Sequence, residues 1–64
     1  MPDVILRNEG TIVMLTPMTP DVKEWFDENV QSEGWQWMGE SLCIDSRFAM
    51  DLVIGINEAG FSIE

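Results

Sequence analysis

Carboxylates are the most numerous chemically active side chains in this sequence. Twelve Asp and Glu residues stand against three Lys and Arg, histidine is absent, and the formal net charge is −9. Paired carboxylates can catalyse acid–base steps or bind divalent metals, but no pair is marked out by its spacing, and the D-x-D-x-D-G pattern of a calcium loop is absent. We therefore predict no metal site and no cofactor, and we look to the carboxylates for binding.

Cys43 is the only cysteine, so it has no partner for a disulfide within the chain. A catalytic thiol or hydroxyl needs an activating base, and the usual base, histidine, is missing. The cysteine falls in an apolar run, where a thiol is ordinarily inert. The sequence therefore predicts a protein that is not an enzyme.

The acidic residues concentrate in the segment "TPDVKEWFDENVQSEG". Thr19 is a preferred N-cap, Pro20 suits the first helical position and Gly34 favours a stop, which predicts a helix from Pro20 to Gln31 or Ser32. With about 100° of rotation per residue, its apolar and acidic side chains separate onto opposite faces. The apolar face holds Val22, Trp25, Phe26, Asn29 and Val30, and the opposite face holds Asp21, Glu24, Asp27, Glu28 and Gln31.

Asp21, Glu24 and Glu28 step about 4.5–6 Å along the helix axis. Phosphates of one DNA strand advance about 3.4 Å per nucleotide, so the two spacings are loosely commensurate. A rigid row of carboxylates can imitate phosphates for a basic groove that binds DNA, whereas an acidic surface repels nucleic acid itself. The candidate partner-binding residues are Asp21, Glu24, Asp27, Glu28, Glu33 and Glu40. The acids Asp45, Asp51 and Glu58 would widen this surface if they lay on the same side, and the alternative is an even spread that serves solubility.

Two tryptophans occur in "WQWMGESLCI", which reads as a β-hairpin with Gly39 and Glu40 in a type II′ turn. Paired residues of a hairpin point to the same side. Trp35, Trp37, Leu42 and Ile44 then form one apolar face that needs a cover of helices. We predict that the tryptophans belong to the core, because proteins that stack bases on exposed aromatics carry basic grooves beside them.

Two further β-rich runs, Val4–Arg7 and Thr11–Thr16, flank a loop of Asn8, Glu9 and Gly10 at the N-terminus. The first run reads as an edge strand or a loose arm. The final "FSIE" alternates and favours a short last strand.

The segment from Ser46 to Gly60 predicts a second helix, with Ser46 as its N-cap and Gly60 as its stop. We expect Gly55 to let this helix approach the sheet closely, and Arg47 and Asp51 to form an (i, i+4) ion pair. The expected buried stripe is Phe48, Leu52, Ile56 and Ala59. The exposed apolar patch on the far side is Met50 and Ile54.

The predicted order is β(β)αββα(β) in a single domain, residues 1–64. This is an α+β fold with a small antiparallel sheet of three to four strands and two helices. The apolar runs are too short to span a bilayer, and the N-terminus lacks a basic start and a cleavage site. We therefore expect no membrane association and a cytoplasmic location.

The segments "LTPMTPDVKEWFDENV", "WQWMGESLCID" and "INEAGF" resemble small acidic proteins encoded by phages and plasmids. The resemblance covers about three quarters of the chain, from Thr16 onward. The matching residues are Thr16, Pro17, Trp25, Glu28, Asn29, Val30, Trp37, Gly39 and Gly60. The chain also resembles anti-CRISPR proteins of the DNA-mimic kind in its size and acidity.

This resemblance implies an inhibitor in the bacterial host cell that occupies a DNA-binding subunit of a CRISPR effector complex. The large subunit that reads the PAM in a type I complex is the implied target. The partner is then a basic protein surface, with no direct nucleic acid, and the inhibitor is a monomer or weak homodimer. Two alternatives stay open: a small interaction module or homodimer through Met50 and Ile54 whose acids serve only solubility, and an antitoxin-like partner of a basic protein.

Overall fold

A computed structural model of the chain describes residues 1–30 and 35–64. Four antiparallel strands in one sheet and two α-helices make an α+β domain, which confirms the predicted fold class. Within the described ranges, neither helix is long and apolar enough to cross a membrane. The elements are β1 (Val4–Asn8), β2 (Ile12–Pro17), α1 (Pro20–Asn29), β3 (Trp35–Met38), β4 (Ser41–Asp45) and α2 (Ser46–Glu58).

The strands lie in the order β1-β2-β4-β3, so the second hairpin docks its β4 strand against the first hairpin. The β3–β4 hairpin has the predicted register, with Trp37 opposite Leu42. Gly39 has a φ of 62°, whereas Glu40 keeps a negative φ. This combination fits the predicted type II′ turn, because a type I′ turn needs positive φ at both central residues.

β1 is an ordered strand whose outer side is covered by the end of the chain. A parallel bridge joins Val4 to Ile63, and the Leu6 N–H donates to the Glu64 carbonyl at 2.7 Å. The predicted last strand is therefore present as a single bridge. The loop after β1 is Glu9–Thr11, one residue later than predicted, because Asn8 still pairs with Val13.

The hydrophobic core lies on one face of the sheet, and both helices cover that face. Leu15 of β2 and Leu42 of β4 are fully buried there, beneath Phe26 of α1 and Ile56 of α2. Burial alternates along β2 and β4, as a sheet with one covered face requires. The buried apolar residues are Val4, Val13, Leu15, Val22, Phe26, Leu42, Ile44, Ala49, Leu52 and Ile56.

The other side of the sheet, here called the open face, has neither helix packed on it. Its side chains alternate with the core residues along each strand. The Thr16 and Ser41 hydroxyls hydrogen-bond each other across β2 and β4 at 2.7 Å. The open face comprises Ile5, Arg7, Ile12, Met14, Thr16, Gln36, Met38, Ser41, Cys43 and Asp45.

The buried stripe of α2 differs from the predicted one. Ala49 is buried in place of Phe48, which is 50% exposed, and Ala59 is exposed at the C-cap. No loop separates β4 from α2, so the end of the strand fixes which side of the helix meets the sheet. The N-cap is Asp45 rather than Ser46, since the Asp45 carboxylate accepts a hydrogen bond from the Arg47 N–H.

Two further predictions about the helices are wrong. The first helix ends at Asn29 and not at Gln31 or Ser32, because Val30 is already extended, with φ of −101° and ψ of 112°. Among the described residues, Gly55 faces Trp25 of α1 and not the sheet.

Candidate functional site

The helix α1 is built so that its acidic side chains face solvent. The Thr19 hydroxyl accepts a hydrogen bond from the Val22 N–H at 3.3 Å, and Pro20 occupies the first turn. Val22 and Phe26 are fully buried and fix the rotation of the helix on the sheet. The predicted acidic residues of this helix, Asp21, Glu24, Asp27 and Glu28, are all exposed.

These four residues divide into two groups on the surface of α1. Asp21, Glu24 and Glu28 point away from the domain, and helical geometry spaces them over about 10 Å. Asp27 lies on the flank that borders the β3–β4 hairpin, one turn after Lys23. The two groups give the helix a broad acidic surface.

A concavity of about 260 Å³ separates α1 from the β3–β4 turn. Asp27 and Glu40 both line it, so the structure brings the predicted turn acid close to the predicted helix acids. Lys23 adds one positive charge to the same rim. Glu33 lies outside the described residues. Among the described residues, the lining comprises Pro17, Lys23, Asp27, Trp37 and Glu40.

Trp37 forms the aromatic wall of this concavity. Its ring lies 6.1 Å from that of Phe26, on the helix-covered side of the sheet, yet 45% of its surface is exposed. The prediction that Trp37 is fully part of the core is therefore wrong, because β3 is the edge strand and α1 covers its side chains only partly. The side chain of Trp35 lies outside the described part of the chain.

The two arginines form ion pairs at the border of the open face and not on α1. Arg7 contacts Glu9 at 2.9 Å. Arg47 holds both carboxylate oxygens of Asp45, at 3.1 Å each, so the predicted pairing with Asp51 is wrong. The hydrogen bonds from Arg47 lower the pKa of Asp45, and the same contact raises the pKa of Arg47.

The remaining predicted acids lie on other elements than α1. Asp51 and Glu58 are exposed on α2. Asp45 lies on the open face, where Arg47 neutralises it. Glu40 thus extends the acidic surface of α1 at the concavity, whereas Asp45 does not.

The chemistry that this arrangement permits is the binding of cationic groups. None of the described residues that line the concavity carries a hydroxyl or a thiol, and Cys43 is half-buried on the opposite side of the sheet. Among the residues that the structure describes, His, Cys, Asp and Glu form no group of three or more that could hold a metal ion. Carboxylates beside a half-exposed indole suit the guanidinium or ammonium group of a protein partner.

Trp37, Pro17 and Lys23 are members of this site that sequence reasoning did not assign to it. The hairpin register places Trp37 on the helix side correctly. Its exposure follows from the position of β3 at the sheet edge, and that position depends on the strand order.

No protein-family model matches the chain, and neither do curated proteins or solved structures.

Proposed function

We propose that this protein is an inhibitor that binds a basic nucleic-acid-binding site on a bacterial defence complex. The observation that carries the proposal is the exposure of all four acids of α1 on a helix that is anchored to the sheet by the buried side chains of Val22 and Phe26. A helix fixed in this way presents its charges on a backbone that needs no further ordering, which favours association.

The positions of the basic residues support the same reading. Arg7 and Arg47 neutralise Glu9 and Asp45 at the border of the open face. Neither arginine screens the acids of α1, where Lys23 is the one basic residue. The negative potential on this side can therefore steer a basic partner.

The concavity beside α1 adds a contact that a simple row of acids lacks. An arginine of the partner can lie over the half-exposed ring of Trp37 while Asp27 and Glu40 accept its hydrogen bonds. Aromatic–cation contacts of this kind are worth about 0.5–2 kcal/mol. Such an anchor would give the interface a specific centre in addition to long-range attraction.

The resemblance to anti-CRISPR proteins of the DNA-mimic kind favours a CRISPR effector complex as the target. The implied target within a type I complex is the large subunit that reads the PAM, and a surface that binds DNA is expected to be basic. The inhibitor would occupy that surface and exclude the target duplex.

The direct test is competition between the inhibitor and DNA for one complex. A type I effector complex loaded with guide RNA is mixed with a labelled PAM-containing duplex and increasing inhibitor, at low and at high salt. We expect loss of DNA binding, and weakening of both interactions as salt rises. A matched complex reconstituted without its large subunit should fail to bind the inhibitor. Simultaneous binding of DNA and inhibitor, or equal binding to the complex without the large subunit, would contradict the proposal.

A further inference from the structure

The open face carries no excess of negative charge among the described residues, in contrast to α1. Its acid Asp45 is paired with Arg47, and the neighbouring Glu9 is paired with Arg7. Both arginines of a chain with only three basic residues are thus placed at the border of this one face. Two molecules that each carry a charge of −9 repel one another, and this face is where their approach is least opposed.

The open face also carries exposed apolar side chains among its polar ones. Ile5, Ile12 and Met38 are 40%, 46% and 62% exposed. On its two inner strands, the Thr16 and Ser41 hydroxyls hydrogen-bond each other at 2.7 Å. These two hydroxyls therefore keep a hydrogen-bond partner when water is removed, which lowers the cost of covering the face.

We propose that the open face is the interface of a symmetric homodimer, with a second copy of this chain as its occupant. The proposal goes beyond the inhibitor function and does not depend on it, since α1 lies on the other side of the sheet. Dimerisation through the open face would leave the acids of α1 exposed in both copies.

The relief of the open face suits a two-fold arrangement. A shallow hollow of about 400 Å³ lies at one end, bordered by Ile12, Gln36, Cys43 and Asp45. Met38 projects from the same edge strand at the other end. A two-fold axis that runs parallel to the sheet and perpendicular to its strands places Met38 of each copy against the hollow of the other. This self-complementarity is what an isologous interface requires.

The size of the face sets the expected strength of the dimer. Four strands about 4.8 Å apart and five residues of about 3.4 Å each give a footprint of about 300 Å² per copy. Because side chains project from the sheet, the accessible area that the two copies bury together is larger, on the order of 1,000 Å². This is the lower limit for a specific interface. We therefore expect a reversible dimer that dissociates in the micromolar range.

The exposed pair Met50 and Ile54 on α2 is a weaker candidate for self-association. These side chains are 65% and 48% exposed, but Asp51 and Glu58 lie beside them on the same helix. Two copies that met through α2 would bring like charges together, which opposes association.

Sedimentation velocity over a concentration series tests the proposal, with two variants of equal charge. Met38→Glu places a carboxylate in the interface and should weaken the dimer at least about tenfold. Met50→Glu makes the same change on α2 and should leave the dimer within about twofold of the parent. Added salt should strengthen the parent dimer by screening its net charge. If Met38→Glu fails to fold, Ile5→Glu replaces it.

Cys43 allows the interface to be located independently, because it is the only thiol and lies on the open face. Packed sheets are about 10 Å apart, so a short bis-maleimide should link two copies through this residue. We expect the linked dimer from the parent and from Met50→Glu, and not from Met38→Glu. A parent that stays monomeric at several hundred micromolar overturns the proposal. So does dissociation by Met50→Glu while Met38→Glu remains dimeric.

Discussion

Trp25 of α1 packs directly on Gly55 of α2, with its Cη2 atom 3.5 Å from the position that a Cβ atom on Gly55 would take. The same indole makes an edge contact with the ring of Phe61 at 6.3 Å. Trp25 therefore joins both helices and the C-terminal segment. It belongs to a structural contact on the far side of α1 from the concavity at Trp37.

The Trp25–Gly55 contact predicts opposite effects of small and large substitutions. A Cβ atom at 3.5 Å is in ordinary van der Waals contact, and alanine removes the entropic cost of a helical glycine. Gly55→Ala should therefore stabilise the fold by about 0.5–1 kcal/mol. In a domain of this size, each kcal/mol of added stability raises Tm by about 4–8 °C. Gly55→Leu would displace the indole and should destabilise by about 1–3 kcal/mol. Thermal unfolding followed by circular dichroism measures both, and a destabilised Gly55→Ala would contradict the geometry.

The partial exposure of Trp37 predicts a modest loss of stability when it is truncated. Trp37→Ala should cost about 1–2.5 kcal/mol and stay folded, because only half of the ring is buried. Phe26→Ala, at the fully buried neighbour, should cost about 3–5 kcal/mol and approach the whole stability of a domain this small. Urea unfolding measures the free energy of unfolding of both variants and tests the expected difference. A Trp37→Ala variant as unstable as Phe26→Ala would restore the prediction that Trp37 belongs to the core.

The Asp45–Arg47 pair predicts a pH-dependent contribution to stability. Because Arg47 lowers the pKa of Asp45 in the folded protein, the contribution is fully present above the ordinary aspartate pKa of about 3.9 and is lost as the pH falls through the lowered value. Asp45→Asn keeps an N-cap and removes the charge. Its urea midpoint should fall below that of the parent at neutral pH and converge with it in acid.

Asp51→Asn is the matched control for the Asp45 experiment, because it removes the same charge from the neighbouring helix surface. It should leave the urea midpoint unchanged or slightly raised, since it lowers the net negative charge. Equal losses from Asp45→Asn and Asp51→Asn at neutral pH would mean that Arg47 has no preferred partner in solution.

Local patterns predicted the parts of the fold that depend on neighbouring residues. The register of the β3–β4 hairpin follows from a two-residue turn with glycine first. The start of α1 follows from Thr19 and Pro20, and its burial pattern follows from the spacing of Val22 and Phe26. Each of these features needs only a few adjacent side chains to be decided.

The features that were wrong depend on how the secondary-structure elements join and pack. Phe48 has the spacing of a core residue, but the direct junction of β4 and α2 turns it outward. Arg47 binds Asp45 instead of Asp51, because an aspartate at the N-cap is already oriented toward the first turn. Predicting the concavity at Trp37 would have required the strand order and the side of the sheet that α1 covers. Neither of these has a local signal in the sequence.

Reversal of charge on α1 tests whether its acids form the interface with a partner. Glu24→Lys with Glu28→Lys changes two exposed residues on the outward side of the helix. Like charges brought against a basic groove cost several kcal/mol, so binding to the target complex should weaken by about 100-fold or more. Folding should survive, because exposed substitutions usually change stability within about 0.5 kcal/mol. Circular dichroism and urea unfolding verify the fold before affinity is measured at two salt concentrations.

Asp51→Lys with Glu58→Lys provides the matched control, because it changes the net charge by the same amount on exposed positions of α2. If the acids of α1 make the contact, this control should lose only the long-range attraction, a loss that disappears at high salt. The α1 variant should remain weak at high salt, because its lysines would lie within the interface itself. Equal weakening by both double variants would mean that total charge governs binding and that the position of the acids on α1 does not. An α1 variant that binds like the parent would remove α1 from the interface.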